Sequence, residues 1–492
     1  MPDMNDVSLT KLMANRPPSP ADPPAAGSLT PAADAVALFH KIANLDILRQ
    51  VLLAGKGYLR CWTPAVTLMA MILSHLTGKR TLEKMLNLMR SGIADAICLP
   101  GKKLSVRLLH VVSTSAYAQA RKRLPFPWLR RCLAAQSHAL RSMATGWLWR
   151  GVEVRVLDGT MITLRPHGRI PKRFPPHRNQ HGEAYWCQIR MLASLCLGTG
   201  LIVSLIMGNA GDSEQAQAVR LMLLDTCAGS CPVTPASLLW MGDANFGVWR
   251  VVAASSQSGQ LVLVRLTQPR AKKLAGKHGL VCGMDLAVVW EPSRHDGVDK
   301  GLQRQGVAGR LIMVRLERAG FRPHELWWFT TLDKTTVQPA EIAALYARRW
   351  KVELSLRYFK TQMTLGEILV KSPAMARREL YTGAMAYNLV RGIMLLSSAE
   401  HGTKHGVTPW NLSFTKAREE LNYLILKENS KELLIGSLGR IAKGKLPKRR
   451  KARPGEPRKK RHRGETFPPL RGSRSEARLE MLEQEQQLSA KS

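Results

Sequence analysis

At Gly151 the spacing of apolar residues changes from that of a helix to that of a strand, and this switch excludes an all-helical or all-β chain. Upstream, from Ala35 to about Trp149, apolar residues recur at helical spacing in "VALFHKIANLDILRQVLL", "AVTLMAMILSHLTG", "TLEKMLNLMRSGI" and "SAYAQARKRLPFPWLRRCLAAQSHALRSMA". That repeat marks helices with one buried face. Downstream come short apolar runs: "VEVRVLD" (152–158), "IRMLASLCLG" (189–198), "LIVSLIMGN" (201–209), "SLLWMGD" (237–243) and "QLVLVRL" (260–266). Helical patterns, "SEQAQAVRLMLLDTC" and "GVWRVVAASSQSG", separate the last three. The order is three strands, helix, strand, helix, strand. It predicts a mixed α/β sheet, because a fully apolar strand such as "SLLWM" must be covered on both faces.

The remaining segments extend this plan to a multidomain α/β protein. Residues 1–34, with "ANRPPSPADPPAAGSLTPAAD", are too rich in Pro and small residues to bury a core and read as a flexible leader. Residues 35–150 form the helical N-terminal domain, and 151–266 the first part of the α/β core. Residues 267–337, with "GLVCGMDLAVVWEP", "RLIMVRLER" and "ELWWFTTL", read as a β-rich insertion. One long helix is expected to open after Pro339 and to contain "LYARRWKVELSLRYFK", and further helices complete 338–440. Residues 441–492 are a basic tail in which Lys443–Arg463 holds twelve Lys or Arg against one Glu. Such a block is disordered when free and binds nucleic-acid backbone without reading sequence.

Charge points to the partner. Lys and Arg number 73 against 36 Asp and Glu, a formal net charge of +37 that suits a polyanion and that no small metabolite requires. No segment reaches the roughly 18 uninterrupted apolar residues needed to span a membrane. The nearest, "WTPAVTLMAMILSHLTG", is broken by His75, and "MPDMNDVSLT" lacks the order of a secretory signal. A cytoplasmic location follows. The eight cysteines read as buried reduced thiols; Cys227 and Cys231 in "CAGSC" lack a second pair for a zinc site. His177 and His181 in "HRNQH" lack the Glu of a zinc-protease motif and read better as a phosphate-contacting loop. The basic turn "ARKRLP" fits a DNA contact or a solvated charge run equally well.

Two of the strands run into Asp, Asp158 followed by Gly159 and Thr160, and Asp243. Strand ends of an open α/β sheet are where ligands sit, although an Asp there also serves as a turn former. On one continuous helix, Tyr346, Arg349, Glu353 and Lys360 fall within a sector of about 60° at ~100° per residue. Beside it runs an apolar stripe of Leu345, Val352, Leu356, Phe359 and Met363. The polar stripe is either an exposed face with an ordinary Arg349–Glu353 pair or the margin of a site. Chemistry favours the site: two Asp and one Glu are hard oxygen ligands for Mg²⁺ or Mn²⁺. Two such ions activate a nucleophile and stabilise a leaving oxygen in phosphodiester cleavage, while Arg349 and Lys360 would hold the DNA backbone. Asp212 and Glu214 read as structural, Asp212 with Gln215 having the form of a helix capping box.

The spacing Tyr346, Arg349, Glu353, Lys360 resembles the Y-R-E-K signature of DDE transposases in the insertion sequence 4 family. Asp158-Gly159-Thr160 is similar to that family's first-acid motif, Asp243 with Phe246 to its second, and "SAYAQARKRLP" to a segment upstream of the first. The resemblance covers roughly residues 40–430. It implies an RNase H-like core interrupted by the β-rich insertion, and a DNA-binding helical N-terminal domain. Asp158, Asp243 and Glu353 would be catalytic ligands of two Mg²⁺ (or Mn²⁺) ions, with Tyr346, Arg349 and Lys360 contacting DNA near the cleaved end. The implied activity is cut-and-paste transposition by a homodimer on terminal inverted repeats and target DNA, in a bacterial, nucleoid-associated setting. Ala244 departs from the Arg common after the second Asp in the family, which bears on a secondary DNA contact. Trp290, Trp327 and Trp328 are candidates for stacking a flipped base, or core residues. Two alternatives stand beside the transposase: a nuclease without strand transfer, and a DNA-binding regulator derived from a transposase.

Overall fold

The computed structural model describes residues 62–78, 81–95, 103–111, 113–142, 146–179, 182–227, 238–294, 301–316, 324–426 and 431–446, with isolated positions besides. The expected leader, the first predicted helix, Cys231 and residues 447–472 of the basic tail lie outside these. Five helices come first: α1 (Pro64–Thr77), α2 (Leu82–Arg90), α3 (Leu104–Leu108), α4 (Ser115–Arg123) and α5 (Phe126–Ser142). Then follow β1 (Glu153–Leu164), α6 (Ile170–Arg173), β2 (Pro176–Asn179), β3 (Gly182–Cys196), β4 (Ile202–Asn209) and α7 (Glu214–Cys227). Next are β5 (Leu238–Gly242), α8 (Trp249–Gln257), β6 (Leu261–Leu266), α9 (Gln268–Ala275), β7 (Asp285–Trp290), β8 (Val307–Leu316) and β9 (His324–Thr330). The last described elements are α10 (Pro339–Ala347), α11 (Trp350–Thr361), β10 (Glu367–Ile368), α12 (Pro373–His405), α13 (Phe414–Leu426) and α14 (Lys431–Lys443). The period switch at Gly151 is therefore real, and the fold is mixed α/β. The chain makes two compact units, one comprising Ala26–Leu238 and Trp350–Leu446 and the other containing Leu239–Arg349.

The larger unit is built around α12. Ser372 caps its start by accepting the Met375 amide at 3.3 Å, Pro373 sets its first turn, and Gly406 at φ 54° ends it. It is buried on every side from Leu380 to Leu396 and mostly apolar there, so it must be central. Helices α1, α5, α13 and α14 and strand β4 pack around it. Its polar groups serve the turn between β3 and β4: Tyr387 Oη donates to Gly200 O at 3.0 Å, Asn388 Nδ2 to Ile202 O at 2.8 Å, and Arg391 Nη2 to Thr199 O at 2.7 Å. Each bond answers a buried carbonyl that would otherwise cost about 1–3 kcal/mol. At the other end, Glu379 takes ion pairs from His75 of α1, at 3.0 Å, and from Arg121 of α4. Burial pushes its carboxyl pKa up, but the hydrogen bonds and charges of His75 and Arg121 outweigh it and hold the group at about 2.

In the same unit β3 pairs antiparallel with β1, β2 and β4, and β10 pairs parallel with β1 at Thr163–Glu367 and Leu164–Ile368. The apolar pattern puts Asp158 at a strand end; the structure places it mid-strand, opposite Ala193. The physical reason is the partner. β3 is 15 residues long and has backbone groups for β1 to pair with as far as Leu164, so "GTMITL" continues the strand.

In the smaller unit β5 and β6 are parallel, joined through α8, and β6, β9, β8 and β7 follow as antiparallel neighbours. Residues 267–337 thus open with a helix, α9, and then contribute three strands continuing from β6. Trp328 is 1% exposed, with Trp290 and Trp327 also buried, and Trp290 stacks edge-on against Phe329 at 5.1 Å. These tryptophans are core residues. Arg310, buried, pairs with Asp285 at 2.7 Å and donates to the carbonyls of Leu332 and Val337, which anchors the approach to α10.

The expected single helix after Pro339 is two. The Arg348 and Arg349 amides bond to Leu345 O and Tyr346 O, 3.1 and 2.9 Å, three residues back rather than four. This tightened turn ends α10 and lets the chain restart as α11. Tyr346 therefore stands on α10, Arg349 in the turn, and Glu353 and Lys360 on α11. The shared 60° sector holds only for the last two.

Candidate active site

The burial of β1 changes where the first acid stands. From Glu153 to Leu157 every residue is buried, and from Asp158 to Met161 every one is half-buried. The Gly159 amide donates to Asp158 Oδ1 at 2.9 Å, fixing the carboxylate against its own backbone. A Cβ at Gly159 would meet Glu214 Oε1 at 2.5 Å, so the Glu214 carboxylate lies directly against the strand there. Neighbouring strand residues face opposite sides, which puts Glu214 on the face of β1 away from the Asp158 side chain. Arg190 pairs with Glu214 at 2.7 Å. Helix α7 is capped by Ser213, whose Oγ accepts the Ala216 amide, while Asp212 accepts the Asn209 amide at 2.7 Å. The capping box expected from Asp212 gives way to this Ser213 cap; both acids stand in structural contacts.

Glu353 occupies the first turn of α11, where the helix dipole favours a negative charge. Val352, Ser355, Leu356 and Phe359 are buried, and the helix packs against β1. Glu353 and Lys360, seven residues apart on one face, remain half-buried beside that apolar stripe. Asp158 and Glu353 thus belong to one unit, on a strand and a helix in contact.

The other unit holds Asp243, Tyr346 and Arg349. Asp243 follows the last residue of β5 directly; its Oδ1 accepts the Asn245 amide at 2.8 Å. The parallel register pairs Gly242 with Val264, so Arg265 of β6 is the next neighbour along from Asp243. On its other side Arg265 is registered with Trp328 of β9. The Trp328 ring lies 5.4 Å from the Tyr346 ring, and the Arg349 guanidinium 5.7 Å above Tyr346. Burial pushes the Tyr346 hydroxyl pKa up, Arg349 and Arg265 pull it down, and Asp243 raises it again. The net shift is upward, so this hydroxyl is a neutral donor at neutral pH. Arg270 of α9 reaches the same turn, donating to Ala244 O at 2.9 Å. Nothing in the sequence singles out Arg270, and the lone cation in "QLVLVRL" is the only signal for Arg265.

The structure gathers the six predicted residues into two groups: Asp158, Glu353 and Lys360 in one unit, Asp243, Tyr346 and Arg349 in the other. Among the described residues no three His, Cys, Asp or Glu side chains form a cluster able to hold a metal ion. Cys132, Cys187 and Cys196 are buried thiols, and Cys282 is an exposed one. His177 lies on β2, and His181 outside the described residues. No helix among the described residues is long and apolar enough to cross a membrane.

Residues 149–389 match the family described as Transposase DDE domain. Among curated proteins, the chain is 25% identical over 338 residues to the transposase InsG for insertion sequence element IS4 of Escherichia coli (strain K12), covering 65% of this chain and 68% of that one. It is 24% identical over 359 residues to the transposase for insertion sequence element IS421 of Escherichia coli, covering 65% and 87%. Among solved structures, the piggyBac transposase synaptic complex with hairpin DNA aligns at 11% identity with a TM-score of 0.39, over 85% of this chain and 86% of that chain, too distant to carry an argument.

Proposed function

Because residues 149–389 match the family described as Transposase DDE domain and the chain is similar to the transposases of insertion sequence elements IS4 and IS421, we propose that it is a DNA transposase. Its reaction is hydrolysis of phosphodiester bonds at the terminal inverted repeats of an insertion sequence, followed by attack of the freed 3′-hydroxyl on target DNA. The catalytic part is an RNase H-like core with the β-rich segment 267–337 inserted. The observation that carries the reading is local: β1 loses its burial at Asp158, and the helix packed on β1 presents Glu353 in its first turn.

Asp158, Asp243 and Glu353 are the residues that would hold two Mg²⁺ or Mn²⁺ ions. The donor set fits: three hard carboxylates, with Asp243 Oδ2 free of hydrogen bonds among the described residues while Oδ1 is held by Asn245. Bound there, such ions supply Lewis acidity to the scissile phosphate and lower the pKa of the attacking hydroxyl or water. The chain's own residues do the rest. Arg349 and Arg265 offer guanidinium forks to phosphate oxygens, and Lys360 a point charge. Tyr346, whose hydroxyl is buried among the described residues, would act by seating the Arg349 guanidinium over its ring. Two protomers assembled on paired ends would deliver both ends to one target.

The test is an in vitro reaction with a duplex carrying the element's end, Mg²⁺ and a supercoiled target. Wild-type protein should nick the end and join it to target. Asp158→Ala, Asp243→Ala and Glu353→Ala should each abolish both steps with DNA binding retained. Nicking without joining would reduce the protein to a nuclease, and binding without nicking to a regulator.

A further inference from the structure

The acids and the Y-R-E-K residues leave one strongly charged region unused. From the end of β1 into β2 the chain reads "RPHGRIPKRFPPHR", residues 165–178, dense in cations and without a carboxylate. The backbone folds this segment along the start of α12. A Cβ at Gly168, whose φ is 57°, would lie 2.7 Å from Lys371 O. Further along, Arg173 of α6 and Arg377 of α12 are close enough to repel each other. Arg377 also lies 5.9 Å over the Phe126 ring, which itself packs edge-on against Tyr381 at 5.0 Å. Arg169, Lys172, Arg173 and Lys371 are exposed and Arg377 is half-buried.

Among the described residues no acid offsets them. Glu367 is taken by Arg165 at 3.2 Å, and Glu379 by His75 and Arg121. The other polar contact of Arg173 is to Asn209 Oδ1, at 2.5 Å. Burial lowers the Arg377 pKa and the charge of Arg173 lowers it further. A cluster of like charges in which one member is half-buried costs stability, and a surface that serves only folding would shed it or add a carboxylate. The chemistry that repays such a cost is a row of phosphates, each met by a cation and each releasing a counterion.

We propose that Arg169, Lys172, Arg173, Lys371 and Arg377 form a second surface for duplex DNA, binding the sugar–phosphate backbone away from the acids. The surface begins beyond Leu164, six residues along β1 from Asp158, a run of about 20 Å at ~3.3 Å per residue. At ~3.4 Å per base pair that is roughly six base pairs of duplex beyond the reacting phosphate. The assignment rests on the transposase reading for the identity of the polyanion, and on charge and proximity for its location.

The experiment measures the salt dependence of binding, by fluorescence anisotropy between 50 and 200 mM salt, for an end-containing duplex and a random duplex of equal length. Each phosphate that is no longer neutralised should shrink the affinity ratio across that range by about 3.5-fold. Arg169→Gln with Arg173→Gln and Arg377→Gln should therefore reduce it by roughly 40-fold on both duplexes, while the Arg→Lys triple variant keeps the wild-type slope. Thermal melting of the Gln variant should show a Tm equal to or above wild type, since repulsion is relieved; Arg377→Gln alone, at about 3.5-fold, serves if the triple variant does not fold. An unchanged slope, or a loss confined to the end-containing duplex, overturns the proposal. Asp243→Ala, with its slope intact and cleavage gone, separates this surface from the site. If wild-type protein cleaves nothing, the function falls and the slopes still decide the surface.

Discussion

Glu379 and Asp243 are both carboxylates with cations close by, and they serve opposite ends. Glu379 sits where α1, α4 and α12 meet, with one oxygen on His75 and the other on Arg121. Asp243 stands past the end of β5, half-buried, with Arg265 and Arg349 nearby but spread around the Tyr346 ring and only Oδ1 held by the backbone. The same ingredients, charge and partial dehydration, make a closed clamp in one place and, in the other, a carboxylate with one oxygen unbonded among the described residues. What differs is saturation. A buried carboxylate with both oxygens paired contributes to folding, whereas one with an oxygen left over stores the capacity to bind something else.

That contrast breaks most sharply at Asp243. Asp243→Ala should cut end cleavage by at least about 10³-fold, the scale of removing a principal electrostatic group from a site, with a Tm close to wild type. A large fall in Tm instead would make Asp243 a second clamp. Glu379→Ala should do the reverse, losing about 3–5 kcal/mol in denaturant unfolding because buried His75 and half-buried Arg121 lose their shared partner. If its unfolding midpoint matches wild type, Glu379 is no clamp.

Acid provides the next test. The Glu379 carboxyl is held at about 2, below its ordinary value, so its stabilisation is complete above the ordinary carboxylate range and is lost as pH falls toward 2. Wild-type stability should drop through that window by on the order of 3 kcal/mol from this group; the drop should be absent in Glu379→Gln, measured by urea melts across pH. The smallest effect is expected at Tyr346, whose buried hydroxyl lacks a well-formed hydrogen bond among the described residues. Tyr346→Phe should leave stability unchanged or slightly higher while slowing cleavage by no more than about tenfold, since the ring under Arg349 is kept. A marked loss of stability would show that the hydroxyl belongs to the fold.

Much of the fold is legible without coordinates. The strands after Gly151 announce themselves because apolar runs such as "SLLWM" have no other way to be covered, and Leu345, Val352, Leu356, Phe359 and Met363 are all buried as their spacing requires. The candidate acids are legible too, as carboxylates against apolar runs. Three things are not. The run of β1 through Asp158 depends on the length of β3, which is remote in sequence. The break at Arg348–Arg349 depends on two hydrogen bonds to carbonyls three residues back, where periodicity sees one uninterrupted pattern. Arg265 joins Asp243 only through the register of β5 against β6.

By itself, then, the sequence determined which residues must be covered, where the period changes, and a net charge of +37, which suits a polyanion. These follow from hydrophobicity and charge, which each residue carries wherever it sits. The tertiary structure alone decided that Asp158 stands mid-strand with its half-buried neighbours, that Tyr346 and Glu353 lie on separate helices, and that Arg173 and Arg377 come together with no acid among the described residues to offset them. Each depends on strand register, turn geometry or packing between segments distant in sequence, quantities that exist only once the backbone has paired.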